Sequence, residues 1–174
     1  GVWKQHKETW NTKILANAGK EGASPDKVDP WCAGARKVEF LKKPAAGKIS
    51  GMPFTVLKAE YNKVVNTLTL TGQGKDSWTS PSITIFLFND KQVPWGRTFR
   101  SPSVSMMSVP HVHVRSKSGA KMDTKVYTDS DNYGMRLQFN KEPVQGKLSG
   151  YIALRVPDKQ KSEINGYFHA AIQN

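Results

Sequence analysis

A chain of 174 residues is long enough for one domain with a substantial hydrophobic core. Its hydrophobic fraction of 37% and aromatic fraction of 10% exclude an intrinsically disordered protein, and its single cysteine excludes an internal disulfide. The net charge of +12 favours contact with polyanions, and no stretch approaches the roughly 18 apolar residues that a membrane span needs.

The N-terminal part of the chain predicts a short helix followed by an irregular linker. Trp3, Trp10 and Ile14 have a spacing that places them on one side of a helix. The segment from Gly19 to Pro30 is rich in Gly, Pro, Asp and Lys and predicts an irregular connection. We expect residues 1–35 to form an arm that packs on a β domain formed by residues 36–174.

Beyond Arg36, apolar and polar residues alternate with a period of two, which is typical of strands that bury one face. Ile83–Phe88 differs, because it is apolar on both faces and predicts a central strand with cover on each side. The last two alternating segments predict a hairpin around the turn at Pro157 and Asp158. The alternating segments are 37–41, 64–70, 133–139, 152–156 and 164–172.

A short motif occurs twice, as Gly-Lys-Ile-Ser-Gly at 47–51 and as Gly-Lys-Leu-Ser-Gly at 146–150. Each copy leads into an alternating stretch, so two related halves are one option for the fold. The pattern as a whole predicts about nine to eleven short strands at regular spacing. We therefore expect an all-β fold, a single antiparallel β-sandwich of the jelly-roll or immunoglobulin-like kind.

The segment Pro110–Arg115 contains a His-x-His pair. On a strand His111 and His113 share one face, and two such imidazoles can bind one cation. Cupin-type sites place a glutamate a few residues later, where this chain has Ser, Lys and Ser. A further ligand could still come from another strand, and Glu39, Glu60 and His169 are examples. A metal-dependent enzyme centred on the His pair is an alternative function.

Aromatic and basic residues predict a different kind of site, a surface that binds sugars. Sugars stack on exposed aromatic rings, and a basic surround favours acidic polysaccharides. The residues of this character are Trp78, Trp95, Arg97, Tyr151, Tyr167 and His169. The competing interpretation is that these side chains pack under the N-terminal arm or in a small outer core.

Other catalytic motifs are missing from the sequence or lack their context. The sequence has no Gly-x-Ser-x-Gly nucleophile motif, and we expect Cys32 to be a partly buried thiol and not a reactive one. Asp129 and Asp131 lie in a segment typical of a turn. Gly72–Lys75 predicts a hairpin loop, since the spacing and the following helix of nucleotide-binding motifs are lacking. We expect no cofactor.

The order of the strand and turn motifs resembles that of a group of small exported bacterial β-sandwich proteins without an assigned activity. The motifs begin at Gly47, Thr67, Ile83, Pro110, Gly146 and Gly166. The resemblance covers about residues 36–172. It implies export and a β-sandwich, and it implies no reaction.

These observations predict a noncatalytic exported module, periplasmic, cell-surface or extracellular, that contacts a carbohydrate or an anionic surface. Acidic polysaccharides and other cell-surface polyanions are the expected partners. The start at Gly1, without a methionine, agrees with a removed leader. Nonspecific polyanion or nucleic-acid binding is a further alternative that depends on charge alone, and we expect no sequence-specific binding of nucleic acid.

Overall fold

The computed structural model describes residues 29–76, 78–88, 93–101 and 109–174. The described chain is mostly strand and forms one curled, mixed sheet, so the expectation of an all-β fold is confirmed. The elements are α1 (Pro30–Gly34), β1 (Ala46–Ile49), β2 (Met52–Thr55), β3 (Lys58–Asn62), β4 (Thr67–Thr71), β5 (Ser82–Phe86), β6 (Thr98–Ser101), β7 (His111–Ser118), β8 (Lys121–Tyr127), β9 (Gly134–Phe139), β10 (Lys147–Arg155) and β11 (Glu163–Gln173). A short 3-10 turn, Asp129–Asp131, precedes β9, as the sequence predicts for that segment.

The sheet is mixed and not purely antiparallel, so the prediction of an antiparallel sheet is wrong at one place. Nine strands follow one another in the order β6-β9-β10-β11-β3-β4-β5-β7-β8, and the β1–β2 hairpin pairs with β11. Strand β3 runs parallel to β11, whereas the other paired strands of the described chain are antiparallel. The parallel pair arises because β11, the last strand, lies between β10 and the much earlier β3.

Strand β11 connects the two parts of the sheet. Along one edge it pairs with the whole of β10, from Lys147 opposite Ala171 to Arg155 opposite Glu163. Along the other edge it pairs with β1 near its start and with β3 near its end. Between those two strands, the Ala45 amide donates to the Tyr167 carbonyl at 2.8 Å, and the Tyr167 amide donates to the Lys43 carbonyl at 2.9 Å. Both edges of β11 are therefore hydrogen-bonded.

The inner face of the curled sheet forms one hydrophobic core. Ile83 and Val114, from one part of the sheet, line the same small gap as Leu154 and Ile164 from the other part. Full burial of an aliphatic or aromatic side chain contributes about 1.5–3 kcal/mol, so this shared core is the main favourable term in folding. Its largest fully buried side chains include Tyr61, Leu68, Leu70, Ile83, Ile85, Tyr133, Met135, Leu137, Phe139, Leu148 and Phe168.

Several strand predictions are confirmed and two are wrong. The terminal hairpin is present as β10 and β11, and the 133–139 segment contains β9. The segment 37–41 is not a strand, because the amides of Lys37 and Val38 donate to the Gly34 carbonyl and continue the turn that ends α1. Val64 and Val65 lie in an exposed turn before β4, where both amides donate to the Asn62 side chain at 2.9 and 3.1 Å.

The central strand and the repeated motif also differ from expectation. Strand β5 is central, between β4 and β7. Its outer side chains Thr84 and Phe86 are only half-buried, so the strand is fully covered by other residues on its inner face alone. The first copy of the repeat ends in the β1–β2 turn, where Ser50 and Gly51 have φ values of 50° and 80°. The second copy continues as strand through Gly150. The two copies therefore have different structures.

The helix predicted from Trp3 to Ile14 lies outside the described residues, and the described part of the arm contains helix α1. Its first turn is capped by Asp29, whose carboxylate accepts a hydrogen bond from the Trp31 amide at 2.8 Å. The Arg155 guanidinium lies 4.1 Å from the centre of the Trp31 ring and donates to the Trp31 carbonyl at 3.1 Å. These contacts fix α1 on the outer side of β10, with Cys32 fully buried beneath it.

Replacement of Gly166 with alanine should lower the free energy of unfolding by about 2–4 kcal/mol. Gly166 has a φ of 143°, and a Cβ there would lie 2.7 Å from the Ala45 Cα. Gly119→Ala is the matched control, since Gly119 also has a positive φ but has open space around it, and we expect a loss of about 1 kcal/mol. Urea unfolding followed by tryptophan fluorescence measures both, and equal losses would show that the close approach of Ala45 to Gly166 does not affect stability.

The Cys32 thiol should react with iodoacetamide at pH 8 at least about 100-fold more slowly in the folded protein than in urea. Burial, and then the charge of Asp29, raise the pKa of Cys32 to about 11, so little thiolate exists at that pH. Mass spectrometry of timed samples measures the reaction. Rapid alkylation of the folded protein would show that α1 does not cover the thiol.

Candidate binding surfaces

The His pair lies on the outer face of the sheet in an aromatic cluster. His111 and His113 of β7 point away from the core, while Val112 and Val114 point into it. The His113 ring centre lies 4.6 Å from that of Phe86, and the His111 ring centre lies 4.7 Å from that of Phe88. Burial, and then the charge of His111, lower the pKa of His113 from its ordinary value.

The described residues do not complete a metal site around this pair. They contain no group of three or more His, Cys, Asp or Glu side chains that could hold a metal ion. Glu60 lies in line with His113 but three strands away, across Thr69 and Thr84, which is roughly 14 Å. His169 is on β11, which is one strand farther from His113 than Glu60 is. Glu39 also lies next to β11, because its carbonyl accepts a hydrogen bond from the Asn165 side chain of that strand. None of the three proposed ligands therefore approaches the His pair.

The pKa of His113 should lie below 6.5 in an NMR titration and should rise toward 6.5 in the variant His111→Gln. The rise is expected because the variant removes a neighbouring positive charge, and burial should keep the pKa of His113 below its ordinary value. Lys117→Gln removes a charge farther along β7 and should leave this titration unchanged. If the His111→Gln variant showed the same His113 titration as the native protein, the two imidazoles would not interact.

The six residues predicted to bind a ligand do not form one surface. Tyr151, Tyr167 and His169 lie together on the outer faces of β10 and β11. Trp78 lies in the loop between β4 and β5, where it is 77% exposed and contacts Arg115. Trp95 packs edge-on against Tyr61 at 5.6 Å and is partly buried on the core, so it serves packing in this structure.

Arg97, the sixth predicted residue, lies just before β6. Its side chain is exposed, and its backbone carbonyl accepts a hydrogen bond from the Phe139 amide at 2.9 Å. The residues that the structure does bring together are thus those of the last hairpin. The alternation of β10 and β11, with apolar residues inward, was the signal that identified them.

The hairpin residues form a surface with two further side chains, and we call Phe40, Arg136, Tyr151, Tyr167 and His169 the outer aromatic face. Phe40 stacks on Tyr151 with ring centres 5.3 Å apart, and the Arg136 guanidinium lies 4.3 Å from the centre of the Phe40 ring. Tyr167 lies directly opposite Tyr151 in the pairing of β10 with β11. The ring centres of Tyr167 and His169 are 5.2 Å apart.

Phe40 covers one side of the Tyr151 ring, which is the kind of packing that a small outer core would give. Tyr167 remains half-exposed and His169 is exposed. Sequence reasoning missed Phe40 because its segment was assigned to a strand, and it missed Arg136 because the polar face of β9 was not matched to that of β10. Arg136 is opposite Ala153 in the pairing of β9 with β10, two residues from Tyr151, so correct strand pairing would have found it.

The electrostatics of the outer aromatic face are positive. Arg100 of β6 is opposite Arg136 in the pairing of β6 with β9. The Arg136 Nε is buried and has no hydrogen-bond partner among the described residues. Lys43, whose carbonyl bonds Tyr167, has an exposed side chain nearby. Two guanidinium groups therefore lie at the β9 end of this face, and a lysine lies near Tyr167 at its other end.

His169 also contacts a hydroxyl that sequence reasoning did not single out. The Ser149 Oγ and the His169 Nδ1 are 2.6 Å apart. A Ser–His pair is part of nucleophilic catalysis, but a working triad needs an acidic group on the other imidazole nitrogen. No carboxylate bonds His169 in the described part of the chain. The pair lies at the edge of the outer aromatic face.

Comparison of the chain with protein-family models, with curated proteins and with solved structures found no match. In the part of the chain that the structure describes, no helix has the length and apolar character needed to cross a bilayer.

Proposed function

We propose that this protein is a noncatalytic binding module whose outer aromatic face holds an acidic polysaccharide or another cell-surface polyanion. The observation that carries the proposal is a row of groups along one outer face, in which Arg136 contacts Phe40, Phe40 stacks on Tyr151, and Tyr151 lies opposite Tyr167, with His169 next to Tyr167. An aromatic ring supplies the stacking surface for a sugar, and a guanidinium can donate two hydrogen bonds to a carboxylate. Spread along the face in this way, these groups suit an extended chain of sugar rings that carries acids.

The polar groups around Tyr167 support this assignment. Ser149 and His169 form a hydrogen-bonded edge on one side, and Asn165 lies two residues from Tyr167 on the other. Sugar hydroxyls need such donors and acceptors at the margin of the stacking ring. The stack of Arg136, Phe40 and Tyr151 holds the guanidinium in place, which reduces the conformational entropy lost on binding.

Two further parts of the proposal concern architecture and location. We propose that the curled sheet is a β-sandwich, which agrees with the core shared between its two parts. We also propose that the protein is exported, as its resemblance to exported proteins implies. An exported protein of charge +12 would meet the acidic polymers of cell surfaces.

Two alternatives remain distinct from this proposal. A metal-dependent enzyme would use His111 and His113, which are on another part of the sheet. Nonspecific binding of nucleic acid or of other polyanions would depend on net charge and would weaken steeply with salt. If the ligand binds through the outer aromatic face, part of the binding free energy should persist at high salt, because stacking does not depend on ionic strength.

Tyr167→Ala should raise the dissociation constant for polygalacturonate oligomers about tenfold, since the ring contributes roughly 1–1.5 kcal/mol by stacking. Arg136→Gln should remove the preference for these oligomers over neutral oligomers of galactose. Isothermal titration calorimetry at low and high salt measures both effects.

Trp78→Ala is the control, because its ring is exposed but lies away from the outer aromatic face, and this variant should bind as the native protein does. A loss confined to Trp78→Ala would move the site to the loop between β4 and β5. If all variants bound the oligomers equally and high salt abolished that binding, the nonspecific alternative would be favoured.

A further inference from the structure

A groove lies between the β1–β2 hairpin and the loop that joins β4 to β5. Its volume is about 470 Å³, within the range of roughly 300–1,000 Å³ that is usual for small-molecule sites. The buried side chains of Ile49 and Phe54 line it, together with Pro81. The exposed Lys75 and Lys117 also line it, from the loop and from β7. The groove therefore combines an apolar lining with the ammonium groups of two lysines.

The hairpin wall of the groove is fixed by its turn. The Ser50 amide donates to the Ser162 Oγ at 2.8 Å, and the Ser50 hydroxyl bonds the Ser116 hydroxyl at 2.7 Å. Ser116 is itself one of the lining residues. These bonds join the tip of the hairpin to β7 and to the segment before β11, so this wall cannot move without breaking them.

The loop wall is fixed by Asp76 and by two close approaches of the chain. The Asp76 carboxylate accepts bonds from the Trp78 amide at 2.9 Å and from the Thr79 amide at 2.8 Å. A Cβ at Gly72 would run into the Phe54 ring, and a Cβ at Gly74 would run into Ser80. The glycines of the Gly72–Lys75 motif therefore bring the loop close enough to form the groove.

The positive charge of the groove favours an anionic ligand. Among the described residues that line it, two are lysines and none carries a carboxylate. The nearby Asp76 is outside the lining, and bonds from the Thr79 amide and hydroxyl hold its carboxylate. A ligand here gains by burying an apolar part against Phe54 and by placing a negative group between the lysine ammonium groups.

We propose that this groove binds a small amphiphilic anion, an apolar ring or short chain that ends in a sulfonate, carboxylate or phosphate group. The proposal goes beyond the function proposed above and uses none of the residues of the outer aromatic face. Binding involves no chemical step. The preformed walls mean that the ligand does not have to order the loop.

The test compares two fluorescent probes that share one ring system, the anion 1-anilinonaphthalene-8-sulfonate and its uncharged parent N-phenyl-1-naphthylamine. Both should bind the full chain saturably, and the sulfonate should bind more tightly. The double variant Lys75→Gln and Lys117→Gln should weaken binding of the sulfonate about five- to tenfold and leave the uncharged probe unchanged. Met52→Asp, at a lining residue that is 65% exposed, should weaken the sulfonate more than the uncharged probe.

The matched control is Lys63→Gln with Lys141→Gln, which removes the same charge from two exposed positions outside the groove and should leave both affinities unchanged. Thermal unfolding checks that each variant is folded. No saturable binding of the sulfonate, equal affinity for the two probes, or an equal loss in the control would overturn the proposal. Saturation with the sulfonate should leave polygalacturonate binding intact, so failure at one site is distinguishable from failure at the other.

Discussion

The pairing of β11 on both edges is the interaction on which the rest of the structure depends. Its hydrogen bonds join β9 and β10 on one side to β1 and β3 on the other, and through β3 to the remaining strands. The segment Lys43–Ala45 hydrogen-bonds to β11 at Tyr167 and approaches Gly166 so closely that a side chain has no room there. Strand β11 therefore joins the two parts of the sheet that share the core. In that core Ile83, from one part, lines the same small gap as Ile164, from the other.

The same strand organises the surface. Its inward residues, Phe168 among them, complete the core, and its outward residues place Tyr167 and His169 beside the outer side chains of β10. The period-two alternation of a strand thus links packing and recognition, since a register shift of one residue would move every side chain to the opposite face. The groove uses none of the outward residues of β11, because the β1–β2 hairpin, the loop between β4 and β5, and β7 supply its lining. The two candidate sites can therefore be tested separately.

Strand existence could be predicted from the sequence because alternation is a local property, and the β10–β11 hairpin shows this clearly. The parallel pairing of β3 with β11 could not, since the two strands are about a hundred residues apart and no local signal encodes their contact. Val38 and Phe40 alternate like a strand, yet hydrogen bonds to Gly34 place this segment in a turn. Tyr167 and His169 were found by alternation, whereas Arg136 required the order of the strands, and the groove required the approach of Gly72 to Phe54.

The position of β11 in the chain has a consequence for how the protein is made. During synthesis β3 and β10 emerge first, each with a row of unpaired backbone groups that only β11 can cover. The two parts of the sheet stay unconnected until β11 has left the ribosome, because β11 is the strand that pairs with both. A nascent chain that stalls before Glu163 would therefore expose the unpaired edges of β3 and β10 together, and such edges favour aggregation.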